Sequence, residues 1–261
     1  MAEEHPLKPF YSVLVLAFAC SALVALAAVG LSPYQETNRA LDRQKNILAA
    51  AGMFQEGQSV EEQFSSIETK VIELATGTFV DENTIDPAGF NQLTASLQDD
   101  TGKELDADTD IAGIRRQEKY SLVYLVKSGE SVDKIVLPVR GKGLWSTMYG
   151  YVAVDGDLST IRGVSFYEHG ETPGLGGEIE NKRWQQGWQE KQLYNDSGDL
   201  SVAVVKSGAQ SNPENQDYRI DGLSGATITT KGVDNMMQFW FGSHGFKPFF
   251  EQIRNNGGFN G

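Results

Sequence analysis

One stretch near the C-terminus combines residue types that can hold and bond a phosphate: Asp221-Gly222-Leu223-Ser224-Gly225-Ala226-Thr227. Glycine has no Cβ, so a turn containing Gly225 lets the backbone approach an anion closely. If a helix follows, its first amide N–H groups lack partners within the helix and form a ready cradle for phosphate. Ser224, Gly225 and Ala226 would line that cradle, with Thr227 Oγ beside the phosphorus. The same residues also make an ordinary helix start, because Ser and Thr are favoured N-caps. Residue types alone leave both readings open.

A second string, Tyr167-Glu168-His169-Gly170-Glu171-Thr172-Pro173-Gly174-Leu175-Gly176, carries a turn signal. Pro173-Gly174 suits the central positions of a type II turn, where the second residue needs φ > 0. Such a turn is either a tight surface loop or a way to aim amide donors at a planar ring. The following glycines are not a dinucleotide fingerprint, because the strand–G-x-G-x-x-G–helix context is missing. His5, His169 and His244 lie far apart without ligand spacing, so the pattern gives no metal site. His169 reads as structural. A single cysteine, Cys20, allows neither an internal disulfide nor an iron–sulfur cluster. The formal net charge of −13 excludes nucleic acid as a partner, since phosphates demand clustered Lys and Arg.

The elements that must position these strings begin with an anchor. Phe10–Leu31 is uncharged over 22 residues, enough to cross a hydrocarbon core of roughly 30 Å as a helix. Lys8 lies on one flank, and Arg39, Arg43 and Lys45 lie farther off on the other, which leaves orientation open. After Ser32-Pro33 the spacing predicts an amphipathic helix over 34–51, ended by Gly52. Val60, Phe64, Ile67, Val71 and Leu74 predict a second helix over 60–75. The polar stretch 79–110 gives no clear reading. From Tyr120 onward, period-two alternation predicts strands at 121–127, 133–139, 148–154, 161–169 and 200–206. Helices are expected at 181–194 and from about Thr229. The expected class is α+β: a single N-terminal transmembrane helix, then a mixed, largely antiparallel sheet domain with flanking helices. The divisions are a tail at 1–9, the anchor at 10–31, a helical linker and accessory segment at 32–119, and the sheet domain at 120–261.

The 221–227 string resembles the Asp-x-x-(Ser/Thr)-Gly-Ala-Thr signature of proteins flavinylated by the bacterial FMN transferase, which moves FMN from FAD onto the final threonine. With the 167–176 string in the same order, the chain is similar to the FMN-binding domain family. The C-type subunit of sodium-pumping NADH:quinone reductases shares this domain with the G-type subunit of Rnf complexes. The resemblance covers the anchor and roughly residues 120–250. The long segment 52–119, the overall length and Gly143-Leu144-Trp145 favour the quinone reductase branch.

The resemblance implies FMN held on Thr227 as a phosphothreonyl ester, with Thr229 and Thr230 next in line, and Asp221 read by the transferase. Glu171, Thr172, Leu175 and Gly176 are candidate contacts to the flavin ring, and Leu144 or Trp145 would pack on it. Lys206, before Ser207-Gly208, either places a charge near the flavin or is a solvated strand end. The implied protein is one component of a hetero-oligomeric inner-membrane complex, with its N-terminus cytoplasmic and its C-terminal domain periplasmic. It would relay electrons from NADH towards ubiquinone, coupled to sodium export. Two alternatives remain: the Rnf component, and an anchored extracytoplasmic binding or scaffold domain in which Thr227 only caps a helix.

Overall fold

Runs of Val, Ile, Leu and Tyr between 120 and 168 form the four longest strands of the computed structural model, which describes residues 7–129, 131–206 and 213–259. These are β5 (Tyr120–Ser128), β6 (Ser131–Lys142), β7 (Thr147–Asp155) and β8 (Ile161–Glu168). With β1 (Ile67–Glu73) and β2 (Thr78–Phe79) they make a six-stranded sheet ordered β2-β1-β5-β6-β7-β8. Every neighbouring pair in it is antiparallel. Two small pairs stand apart. β3 (Gly102–Glu104) and β4 (Arg116–Glu118) are antiparallel, whereas β9 (Ala203–Val205) and β10 (Arg219–Asp221) are parallel. The largely antiparallel α+β expectation holds.

Both faces of the sheet are covered. Along β6, Ile135 and Leu137 join a core built with α5 (Thr227–Trp240) and α6 (Lys247–Asn255). Val136 points the other way, into a cluster with Ile47 and Leu48. Each such side chain contributes about 1.5–3 kcal/mol by leaving water. Phe239, Trp240, Phe241, Phe246, Phe249 and Phe250 are all core residues. Helix α5 lies close on β6: a Cβ at Gly232 would fall 2.3 Å from the Lys142 carbonyl oxygen. That contact fixes the helix whose first turn carries Thr227.

The chain divides into two compact units, Met1–Arg43 and Gln44–Gly261. Helix α1 (Lys8–Ala50) contains an 18-residue window of mean hydropathy 2.6, with none of the window buried. It is apolar and long enough to cross a membrane. The sequence predicts a fresh helix after Pro33, but α1 runs through it. Proline's fixed φ is itself helical, and the Thr37 hydroxyl donates to the Pro33 carbonyl at 3.0 Å. Gly52 ends the helix as expected, in the left-handed region at φ +71°.

Two other helices are shorter than their spacing predicts. In the 60–75 segment only α2 (Val60–Phe64) is helical, and Ile67–Glu73 is β1. Seven residues of β1 pair with β5, from Ile67 opposite Val126 to Glu73 opposite Tyr120. Burial of Val71 and Ile72 on opposite faces requires a strand. In the 181–194 segment, α4 covers only Lys182–Gln186, because Gly187 caps it and Glu190 takes φ +64°. The 79–110 stretch holds Asx-type turns at Asp81 and Asp86 and α3 (Gln92–Leu97), capped by the Asn91 side chain.

At the far end of α5, the Trp240 indole N–H donates to the Arg140 carbonyl at 2.7 Å. The Arg140 guanidinium lies over that ring and pairs with Glu118, which is fully buried. Removing one partner of such a pair strands the other charge, at a cost of about 3–5 kcal/mol. Glu118→Ala is therefore expected to lower stability by that amount, read from the urea unfolding midpoint at constant m. A loss under about 1 kcal/mol would show the pair to be incidental.

Candidate functional site

Three turns at one end of the sheet bring the two sequence strings together. The first joins β6 to β7: Gly143 N–H donates to the Ser146 carbonyl at 2.8 Å, which holds Leu144 and Trp145 outward. Trp145 is 65% exposed, unusual for a tryptophan. The second is the expected type II turn. Leu175 N–H donates to the Thr172 carbonyl at 3.1 Å, and Gly174 has φ +77°. The third has the same form: Ala226 N–H donates to the Leu223 carbonyl at 3.2 Å, with Gly225 at φ +76°.

Thr227 is the first residue of α5, two positions earlier than the sequence predicts. Its N-cap, Ala226, offers no side-chain hydrogen bond to the first helical amides. Thr227 itself is exposed. Thr229 and Thr230 are buried and already engaged. The Thr229 hydroxyl donates to Glu171, and Thr230 Oγ1 accepts the Leu223 N–H at 3.0 Å. Of the three threonines, only Thr227 presents a reachable hydroxyl.

Glu171, a candidate ring contact, is committed to bonds within the chain. Its side chain is only 5% exposed and turns inward as a clamp between the turns. One oxygen accepts the Trp145 N–H at 2.9 Å, and the other accepts the Thr229 hydroxyl. Burial pushes the carboxyl up, but the Thr229 hydroxyl and the amides of Trp145, Leu144 and Ser146 outweigh it. The net effect holds the group below the usual carboxylate range. A Cβ at Gly143 would meet Glu171 Oε1 at 2.5 Å, and one at Gly176 would meet Thr229 Oγ1 at 2.5 Å. Gly176 is thus a space requirement of the clamp. His169 packs against the clamp: Nδ1 accepts the Glu171 N–H at 3.1 Å, and Nε2 lies 2.9 Å from Glu180. Thr172 Oγ1 accepts the Trp145 indole N–H at 3.2 Å, so these two also act as a pair.

The turns and the helix start carry an exposed apolar rim of Leu144, Trp145, Leu175 and Ile228. Leu175 reaches the Gly225 turn, where an added Cβ would lie 3.3 Å from its Cδ2. Thr227 also lines a cleft of about 640 Å³ with mixed walls, in which Val204 and Leu223 stand beside Lys206, Ser224 and Gly225. The cleft also contains Lys231, Asp234 and Asn235, which the motif reading missed. Their spacing from Thr227 along α5 was the available signal, because residues four and eight apart share a helix face. Burial pushes the Asp234 carboxyl up, against the pull of the Val204 N–H and the Lys231 charge. Asp221 ends β10 beside Val205. Ser207-Gly208 lie outside the described residues.

Glycine turns, uncapped amides, an open hydroxyl and an apolar rim are the features of a flavin-nucleotide site, and residues 143–242 match the FMN-binding domain. The chain is 44% identical to the C-type subunit of the Na(+)-translocating NADH-quinone reductase of Pseudomonas aeruginosa, over 97% of each protein. It is 43% identical to the Yersinia pestis protein of that name, over 97% of this chain and 95% of the relative. The crystal structure of NqrC from Shewanella oneidensis superposes with a TM-score of 0.75 at 35% identity, covering 82% of this chain and 97% of that one. This chain belongs to the NqrC family, the C-type subunits of the Na(+)-translocating NADH-quinone reductase, which decides between the two branches that the motifs leave open.

The clamp has a pH signature. A carboxyl whose folded pKa is lowered stabilises the fold fully above its unfolded pKa, about 4.3, and loses that effect as pH falls through the lower folded value. Glu171→Gln is expected to cost about 1–3 kcal/mol at pH 7, with the gap from wild type narrowing towards pH 3. Urea melts at the two pH values measure this. A gap that does not change with pH would show that Glu171 ionisation does not hold the turns.

Proposed function

We propose that this chain is a membrane-anchored electron-relay subunit that carries FMN esterified to Thr227 Oγ. The observation that carries this reading is the isolation of Thr227. It is the exposed threonine of the string, set at an uncapped helix start on the wall of a cleft that also holds Lys206 and Ser224. In the attachment step, Thr227 Oγ bonds to the FMN phosphorus of FAD, the bond to the AMP half breaks, and the hydroxyl proton leaves with the departing group. Asp221, at the end of β10, would be what the flavin transferase reads.

The residues present fit the group. Gly225 permits close backbone approach, the first amides of α5 and Lys206 suit a phosphate, and Leu144, Trp145 and Leu175 suit a planar ring. Bound FMN supplies reversible electron transfer. The chain's own residues orient it: the Glu171 clamp fixes the turn bearing Trp145 relative to the helix bearing Thr227, and Thr172 fixes the indole. Thr172 and Gly176 shape the turn next to the ring. Neighbouring subunits of a hetero-oligomeric inner-membrane complex would deliver and remove the electrons, from NADH towards ubiquinone with sodium export. The N-terminus would be cytoplasmic and the Gln44–Gly261 unit periplasmic, the side on which the transferase works.

Intact mass under denaturing conditions tests the ester in protein co-expressed with the transferase. Wild type and Ser224→Ala are expected to carry one FMN less a water, and Thr227→Val none. Unmodified wild-type protein would favour the scaffold reading, and a loaded Thr227→Val chain would move the ester to another hydroxyl.

A further inference from the structure

Below Thr227, helix α5 carries a row of polar side chains outside the sequence motif. Lys231 and Asn235 follow at four and eight residues, and Asp234 at seven, so they share its face of the helix. All three line the same cleft as Thr227, with Lys206 just after β9. Among the described residues, neither Lys206 nor Lys231 has an ion-pair partner within 4.0 Å. Among its described lining residues the cleft presents two ammonium groups against one carboxylate, on a chain of net charge −13.

A flavin mononucleotide has two unlike halves. Its tail carries an anionic phosphate and a ribityl chain of hydroxyls, which need donors and acceptors. Its ring is flat and largely apolar. Near Thr227 the chain offers two kinds of surface, a cleft with two lysines and the exposed apolar side chains of Leu144, Trp145 and Leu175. The apolar rim cannot satisfy a charged phosphate, whereas the cleft holds one more ammonium group than carboxylate and so has a cation to spare for it.

We propose that the cleft seats the phosphate and ribityl chain of the cofactor, with Lys231 as the positioning counter-cation of the ester and Asp234 and Asn235 as partners of the ribityl hydroxyls. This rests on the ester at Thr227. One turn along the same helix face, the Lys231 ammonium can reach back to an unesterified phosphate oxygen, and Lys206 adds a second charge from across the cleft. The tail is then held at two points, the ester and the Lys231 contact, and the ring is directed over Gly225 towards Trp145.

The test uses the full chain co-expressed with the transferase, as wild type, Lys231→Gln and Lys231→Arg. Loss of a charge-assisted contact is expected to slow flavin loading about tenfold in Lys231→Gln. In the loaded protein, the ³¹P resonance of the ester should be displaced and the flavin emission should depolarise faster, while Lys231→Arg stays close to wild type. Circular dichroism checks that each variant is folded. A Lys231→Gln protein with wild-type ³¹P shift, depolarisation and loading rate overturns the assignment while leaving the ester intact. Wild-type protein without covalent phosphorus overturns the ester, and this assignment with it.

Discussion

A single buried carboxylate determines the shape of the site. Glu171 is shielded from water and bound by the Trp145 amide and the Thr229 hydroxyl, so it links a hairpin turn, a type II turn and a helix start that are remote in sequence. A carboxylate without those donors would be costly to bury, and the donors without it would be left unsatisfied. Each part therefore depends on the others. The close approach of Gly143 and Gly176 follows from the same demand, because a Cβ at either position would strike the clamp.

The rest of the fold supplies a rigid base for that linkage. The sheet is buried on both faces, so β6 and β7 run from one core to the other without a solvent side. Their hairpin end is fixed by pairing that extends from Lys134 opposite Asp155 to Lys142 opposite Thr147. Helix α5 is fixed at one end by Glu171 and at the other by the Trp240 and Arg140 contact. A hydroxyl at the start of such a helix has a well-defined position relative to the exposed indole. Electron transfer between fixed partners needs that kind of order.

The strands β5 to β8 were legible because each is a short run rich in apolar and β-branched residues, which the fold buries on both faces. β1 was not, because Ile67, Val71 and Leu74 happen to fit helical spacing while the deciding partner, β5, lies some fifty residues away. The α4 segment misled for a local reason: its apolar residues suit a helix, but Gly187 and the left-handed Glu190 stop it. In the site, the turns at Gly174 and Gly225 could be read from residue order, whereas the choice of Thr227 rests on the family resemblance. The inward turn of Glu171 could not, since it depends on Thr229 and Trp145 arriving from elsewhere. Lys231, Asp234 and Asn235 were hidden because no motif includes them, although helical periodicity counted from Thr227 reaches each one.

The burial of Thr229 and Thr230 bears on how uniform the molecule can be. A short run with three threonines invites positional isomers, since similar hydroxyls react alike when equally accessible. Here two of the three are committed to internal hydrogen bonds, and freeing either one would disturb the start of the helix. If the proposed ester forms, chains in a population would differ in whether the threonine string is marked rather than in which threonine bears the mark.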